Sequence, residues 1–214
     1  MFVSLLDYFF LFSIEVLSKL FKGIFNVGTT WESDGKTVAG GNGGGGALNQ
    51  VNSSYGLFVN SDNVLFISDY YNHRVIKWSQ GASSGTIVAG GQCGPIDEGQ
   101  LCLPTAMTFD KEGTMFVTAE DGNNGSVIRW EKDAVSGKTI IMTNTSLYGI
   151  ALDAEEKYLY VVHHREHRVI KYTKDGELDS VVAGGHGQGE EYNQLDYRKY
   201  TSDIVLSNVY CSYH

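Results

Sequence analysis

Residues 72–78 read NHRVIKW, and residues 166–172 read EHRVIKY. Each copy follows a short apolar run, LFISD at 65–69 and LYVVH at 159–163. The near-identity of the two copies, and of the runs before them, indicates an internal repeat. Such a repeat decides the fold class, because each copy then forms one structural unit that stacks on the next.

Four phrases recur in the same order along the chain. Each is short, rich in Val, Ile, Phe and Tyr, and bounded by Gly, Asn, Asp or Ser, which is typical of β-strands. Both faces of these strands are apolar, so each sheet has to be covered on two sides. Four antiparallel strands per unit of about 40–50 residues, stacked face to face, predict an all-β fold of β-propeller type. The three complete units are predicted at 55–91, 105–144 and 148–185.

The trio at 72–74, Asn-His-Arg followed by Val75, resembles the Asn-His-Leu trio that gives the NHL-repeat propellers their name. The segments FISD at 66–69 and YGLFV at 55–59 support this resemblance. It covers about residues 36–190. The resemblance implies a propeller built from four-stranded antiparallel blades of NHL type.

The repeat is uneven along the chain. The third copy has Glu166 in place of the asparagine, and EDGNNGS at 120–126 replaces the trio in the second copy. The propeller domain is predicted over 36–214, with a leading outer strand at 36–41 and a partial fourth unit at 186–214. Propellers close with about four to eight blades. The sequence therefore predicts an incomplete, truncated propeller.

Residues 1–28 differ in composition from the rest of the chain, since they are densely apolar and contain no glycine before Gly23. This pattern predicts an apolar N-terminal helix. Its longest uncharged run, 8–14, is far shorter than the roughly 18–20 residues that span a bilayer. No positive region precedes that run. Three interpretations stay open: a secretory signal or membrane anchor, an extension with an incorrect start, and a helix that covers an open edge of the domain.

The charge of the chain bears on its partners. The formal net charge is −9, and no run of Lys or Arg is longer than two residues. A phosphate-binding surface needs a concentrated basic patch, so nucleic acid is not a predicted partner. GGNGGGG at 40–46 has the glycine spacing of a dinucleotide loop, but similar glycine-rich segments recur between the other units. We interpret it as a connection between blades and predict no cofactor.

The turn before each third strand is the predicted binding region, because surface loops on a rigid frame commonly carry function. HHREH at 163–167 has three histidines, but the second copy offers none at the matching turn, so no metal centre is predicted. No complete catalytic set is present. The predicted binding residues are Asn72, His73, Arg74, His164, Glu166 and His167.

The same turns also have a structural interpretation. Asn72 suits a tight turn, and Arg74 is placed to reach Asp69 or the next blade. Large rings should pack between the blades, and the residues predicted for this role are Trp78, Trp130 and Tyr172.

Two further features concern the compartment. Cys93 and Cys102 lie in one loop, and they would form a disulfide in an oxidising compartment or remain thiols in a reducing one. N-glycosylation is predicted at Asn52, Asn124 and Asn144, which all map to the loop face. These features predict an extracellular or membrane-anchored protein, with a cytoplasmic one as the alternative.

The sequence predicts a non-enzymatic propeller scaffold that binds a protein or another ligand through loops on one face. One alternative is a metal-dependent lyase or lactonase, which follows from a resemblance to the amidating-lyase type of propeller. Another is the substrate-recognition module of a ubiquitin ligase, although the sequence contains no RING or coiled-coil segment. A membrane contact through residues 1–28 and self-association through open blade edges are also predicted.

Overall fold

The computed structural model describes residues 35–94, 100–122, 124–189, 191 and 193–195. Within these residues the chain forms twelve strands in three four-stranded antiparallel sheets. The prediction of three such sheets is confirmed. The strands are, in chain order, β1 (Ser54–Val59), β2 (Leu65–Asp69), β3 (Arg74–Trp78), β4 (Thr86–Gly90), β5 (Pro104–Phe109), β6 (Met115–Glu120), β7 (Gly125–Trp130), β8 (Lys138–Thr143), β9 (Leu147–Leu152), β10 (Tyr158–His163), β11 (Arg168–Thr173) and β12 (Leu178–Gly184).

Each sheet is a meander, because spatial order equals chain order: β1–β4 form blade 1, β5–β8 blade 2 and β9–β12 blade 3. The first strands of successive blades contact each other, β1 with β5 and β5 with β9. The first strands are therefore the inner strands of the stack, and β4, β8 and β12 are the outer ones. This is the blade arrangement of a β-propeller-like fold.

The central strands are buried on both faces, and two apolar cores fill the space between the blades. Phe66, Val75, Met107 and Val117 pack between blades 1 and 2. The core between blades 2 and 3 contains, among others, Phe116, Val127, Leu147, Leu159 and Ile170. Burial of this kind is the main stabilising contribution to stacked sheets.

The three predicted rings are all buried at equivalent positions of the repeat, but only two of them lie between two blades. Trp130 packs in the core between blades 1 and 2, and Tyr172 in the core between blades 2 and 3. Trp78 lies on the other face of blade 1, where it packs with Ile76 and Ala39. Each ring thus faces the preceding part of the chain, and for blade 1 that part is the segment around Ala39.

The predicted additions at the two ends are only partly within the described residues. Lys36 is a single bridge residue, and residues 37–41 form no strand. Leu195, in the predicted fourth unit, packs on blade 3 with Val162 and Val169. The predicted helix at 1–28 lies outside the described residues. Among the residues that are described, no helix is long and apolar enough to cross a membrane.

The glycine that ends the outer strand of blades 1 and 3 has a steric explanation. Gly90 and Gly184 have positive φ angles, +73° and +70° respectively. A Cβ on Gly90 would collide with the carbonyl oxygen of His73, and one on Gly184 with that of His167. The repeated glycine therefore lets the outer strand approach the turn that begins the third strand.

Candidate functional site

The NHL-like trio forms the turn between the second and third strands. In blade 1, Tyr70–Asn72 is a 3-10 turn that ends at His73 with a φ angle of +54°. In blade 3, His164–Glu166 forms the same turn and ends at His167 with a φ angle of +49°. The left-handed region is uncommon for residues other than glycine, although histidine is among those enriched there. The recurring histidine is therefore the residue at which the chain reverses into the third strand.

Arg74 fixes the glycine-rich loop to blade 1. Its Nε donates to Asp69 Oδ2 at 2.7 Å, and its Nη1 and Nη2 donate to the carbonyl oxygens of Gly46, at 2.9 Å, and Ala47, at 3.0 Å. Asn72 Nδ2 adds bonds to Gly45 O and to both Asp69 oxygens, each at 2.9 Å. Arg74 is only 4% exposed. Its donors are directed into the chain, which favours the structural interpretation of this residue.

Blade 3 uses a different set of side chains at the same turn. Glu166 Oε2 contacts His163 Nδ1 at 3.0 Å and accepts from Arg168 Nε at 2.8 Å. His163 Nε2 is 2.9 Å from Tyr172 Oη. Burial lowers the pKa of His163 below its usual value, with Glu166 opposing and Arg168 reinforcing the shift. His164, next to this network, packs its ring 4.6 Å from that of Tyr148.

His73 lies beside the cysteine pair. The structure joins Cys93 to Cys102 by a disulfide, and one ligand atom from each of the three residues lies within 4.8 Å of the others. His73 Nδ1 accepts from the Leu103 backbone N–H at 3.2 Å. Thiolates, not disulfide sulfurs, are metal ligands. This group therefore offers a metal site only when the cysteines are reduced.

The predicted glycosylation residues lie at the surface of the described chain. Asn124 and Asn144 are exposed, and Asn52 is half-buried. The backbone N–H of Asn52 donates to Asp69 Oδ1 at 2.7 Å, which leaves the side-chain amide outside that bond. Glycosylation at these positions stays a prediction.

Sequence reasoning missed a buried carboxylate at the end of β6, on the same turn face. Glu120 is 4% exposed, and its Oε2 accepts from Tyr70 Oη at 3.0 Å. No donor among the described residues reaches its Oε1. The tyrosine rings form a connected group: Tyr55 lies 4.4 Å from Tyr70 and 6.0 Å from Tyr148 between centroids. We call Glu120 and these three tyrosines the tyrosine–glutamate site.

The tyrosines of this site respond to burial and to the carboxylate. Burial, followed by the charge of Glu120, raises the pKa of Tyr70 well above its usual range. The same two causes raise the pKa of Tyr148 to about 12, and Arg165 opposes this shift. Both hydroxyls therefore stay protonated at neutral pH and can donate hydrogen bonds.

No protein-family model matches the chain, and no curated protein matches it. Solved structures do resemble it. A catalytically inactive virginiamycin B lyase from Staphylococcus aureus with quinupristin is 16% identical, with a TM-score of 0.49 over 69% of this chain and 44% of that chain. The selenomethionine-substituted form of that lyase is 17% identical, with a TM-score of 0.47 over 63% and 42%. A chain of a nidogen/laminin complex is 20% identical, with a TM-score of 0.48 over 61% and 48%. The present chain thus spans less than half the length of each.

Proposed function

We propose that the chain is a non-enzymatic propeller scaffold that binds a protein ligand through the turn face. This face comprises the turns before β3, β7 and β11 and the loops between blades. The observation that carries the proposal is the tyrosine group: Tyr55, Tyr70 and Tyr148 come from two blades and contact one another there. Tyr71, beside them, is 57% exposed. Tyrosine is enriched at protein interfaces because it offers a large rigid contact with a polar tip.

The surroundings of this group support recognition without large rearrangement. Arg74 ties the glycine-rich loop to blade 1, and Glu166 ties the turn of blade 3 to Arg168. A frame that is ordered before binding loses less entropy on association. The predicted binding residues at these turns would then act mainly by holding the loops in place, with His164 as the member that contacts the tyrosine group.

A selection from a displayed random-peptide library on the full chain tests this proposal. Peptides that bind the unchanged chain are expected to lose binding to Tyr71→Ser and Tyr148→Ala. The matched control is Val135→Ser, because Val135 is 96% exposed and lies in the turn between β7 and β8, on the opposite face. Peptides that bind all three variants equally, or that lose binding only with Val135→Ser, would contradict the proposal.

We also propose that the protein works in an oxidising, extracellular compartment. The disulfide between Cys93 and Cys102 and the exposed Asn124 and Asn144 lie on or beside the turn face, where they favour that location. Mass spectrometry of the chain secreted from a eukaryotic host is expected to show the disulfide and at least one glycan. Two free thiols and no glycan in the secreted chain would contradict this location.

A further inference from the structure

We propose that the tyrosine–glutamate site binds an organic cation, either an alkylammonium or a guanidinium group such as the side chain of a lysine or arginine. The proposal rests on the turn face being the binding face and names the chemistry that this face recognises. Its central element is the carboxylate of Glu120.

The first argument is the unsatisfied oxygen. Glu120 receives one hydrogen bond, from Tyr70 Oη, and its Oε1 is buried with no donor from the described residues. A buried carboxylate oxygen without a donor costs free energy, which a bound donor recovers. A cationic donor recovers most, because it also neutralises the buried charge.

The second argument comes from comparing the blades. Asp69 ends β2 and pairs across the strands with Arg74, while His163 ends β10 and pairs with Arg168. Glu120 ends β6 at the same position, but its partner across the strands is Gly125. The repeat thus places an arginine at this point in blades 1 and 3 and none in blade 2.

The packing around residue 125 leaves no room for a side chain, so glycine is required there. A Cβ on Gly125 would collide with the carbonyl oxygen of Thr145 and approach the side chain of Leu147 at 2.6 Å. Blade 3 therefore packs where the arginine of blade 2 would begin. Blade 2 has an acid at this position, as blade 1 does, but lacks the arginine that blades 1 and 3 carry opposite it, so a cation from outside the chain fits the site.

The third argument concerns the rings. The faces of tyrosine rings attract cations, most strongly where water is excluded. Tyr70 is buried, whereas Tyr55 and Tyr148 are half-buried and form the more exposed part of this ring group. A long aliphatic chain ending in a charged nitrogen would pass along these rings to the carboxylate. An anion is excluded by the charge of Glu120, and a hard metal ion would find a single carboxylate where it needs six or more oxygen ligands.

Arg165 is a charged neighbour of the site, and the effect of its charge on cation binding can be measured. It is exposed, and its charge lowers the pKa of Tyr148, so it acts on the outer part of the site. A bound cation would be repelled by it. Removing this charge should therefore strengthen binding, which is a response that a purely structural role of Glu120 would not produce.

Binding to the full 214-residue chain is measured by tyrosine fluorescence and by NMR, with N-acetyl-lysine amide and n-propylammonium as probes. The neutral probe is N-acetyl-Nε-acetyl-lysine amide. Both cations are expected to bind saturably and the neutral probe at least about tenfold more weakly, as expected for loss of a charged hydrogen bond. Tighter binding of the lysine derivative would identify a protein side chain as the source, and equal binding would identify a free amine.

The variants decide whether Glu120 carries this binding. Glu120→Gln keeps the shape and the bond from Tyr70 but removes the charge, and it should weaken cation binding about tenfold or more. Arg165→Ala should strengthen it a few-fold. Glu112→Gln is the matched control, because Glu112 is exposed in the turn between β5 and β6. If Glu120→Gln fails to fold, Tyr148→Leu provides the test, with the same expected direction.

Three outcomes overturn the inference: no saturable cation binding, equal binding of the neutral probe, or unchanged binding in a folded Glu120→Gln. These outcomes are separable from failure of the proposed function. If one of them occurs while peptides selected on the turn face still depend on Tyr148, the scaffold function stands and the cation site falls.

Discussion

Arg74 and Arg168 occupy the same position of the repeat but differ in their surroundings. Arg74 is buried and bonds Asp69 together with carbonyl oxygens of the glycine-rich loop. Arg168 is about a third exposed, and so is its partner Glu166. Water can replace the lost partner in the second pair but not in the first. Arginine at this position of the repeat therefore contributes more to stability in blade 1 than in blade 3.

Arg74→Met is expected to lower the free energy of unfolding by about 3–5 kcal/mol, because it leaves the charge of Asp69 buried without its partner. Arg168→Met is the matched control and should cost about 1 kcal/mol or less, as exposed pairs do. Urea unfolding of both variants measures the difference. Equal losses would show that the exposure of the pair does not set its contribution.

Trp78→Ala should destabilise the chain more than His73→Ala. Trp78 is buried with Ile67 and Ile76, and truncating a large buried ring costs about 3–5 kcal/mol. His73→Ala removes one acceptor, for the Leu103 backbone N–H, and should cost about 1 kcal/mol. Thermal melts compare the two variants. A larger effect of the histidine change would assign the turn a role beyond this hydrogen bond.

His163 should make stability depend on pH. Its pKa is lowered in the folded chain, chiefly by burial, so below about pH 6.5 the unfolded chain binds a proton that the folded chain resists. Stability should therefore fall as the pH drops from about 6.5 toward the lowered pKa, by at most about 1.4 kcal/mol per pH unit. Unfolding midpoints of the unchanged chain and of His163→Gln, measured from pH 7 downward, isolate this contribution. Identical pH dependence in both would contradict it.

At the scale of the element, the outer strand of blades 1 and 3 ends in close contact with the turn that precedes the third strand. The carbonyl oxygen of His73 accepts from the Gly91 N–H at 2.8 Å, and that of His167 accepts from the Gly185 N–H at 3.1 Å. The preceding glycine in each case lies against the same carbonyl. The repeated VAGG phrase is thus explained by one close approach and one hydrogen bond per blade.

Gly90→Ala should destabilise blade 1 more than Gly91→Ala. Both positions have positive φ angles, +73° and +113°, so alanine is strained at either. Only at Gly90 does the added Cβ also collide with backbone, whereas nothing lies within 4 Å at Gly91. Hydrogen exchange of the β4 amides and chemical unfolding measure the loss. If Gly91→Ala lowers stability more than Gly90→Ala, contact with the His73 carbonyl oxygen is not the reason for glycine at position 90.

The strands could be predicted from sequence, while the tyrosine–glutamate site could not. Strands follow from repeated β-branched phrases and their turns, which are local signals. Tyr55 and Tyr148 look like ordinary residues at the start of inner strands, and only the stacking of the blades brings them together. One local signal did exist: Gly125 replaces the arginine of the repeat opposite Glu120. Its meaning depends on the register of β6 and β7, which the sequence does not give directly.

At the scale of the whole molecule, the large apolar side chains that are exposed among the described residues lie on the outer strands, on β1 and in loops. Ile67 and Ile76 of blade 1 and Val169 of blade 3 are fully buried. The outer strands expose Ile87 in β4, Met142 in β8 and Val181 in β12, and the inner strand β1 exposes Leu57 and Val59. Self-association is therefore better expected at the edges than by stacking of end faces.

We expect the 214-residue chain, expressed alone, to self-associate, and we expect residues 29–214 to do the same. An edge strand presents unpaired backbone groups that can pair with another copy, and exposed apolar side chains strengthen such pairing. Replacing Ile87, Met142 and Val181 together by lysine should raise the fraction of monomer, because charges on an edge oppose pairing. The matched control is Val135→Lys, which adds a charge in a turn that has no edge to protect. Light scattering compares four proteins: the full chain, residues 29–214, the triple lysine variant and Val135→Lys. If residues 29–214 with unchanged edges form a monomer that melts cooperatively, three blades suffice for a stable fold and the expectation is wrong.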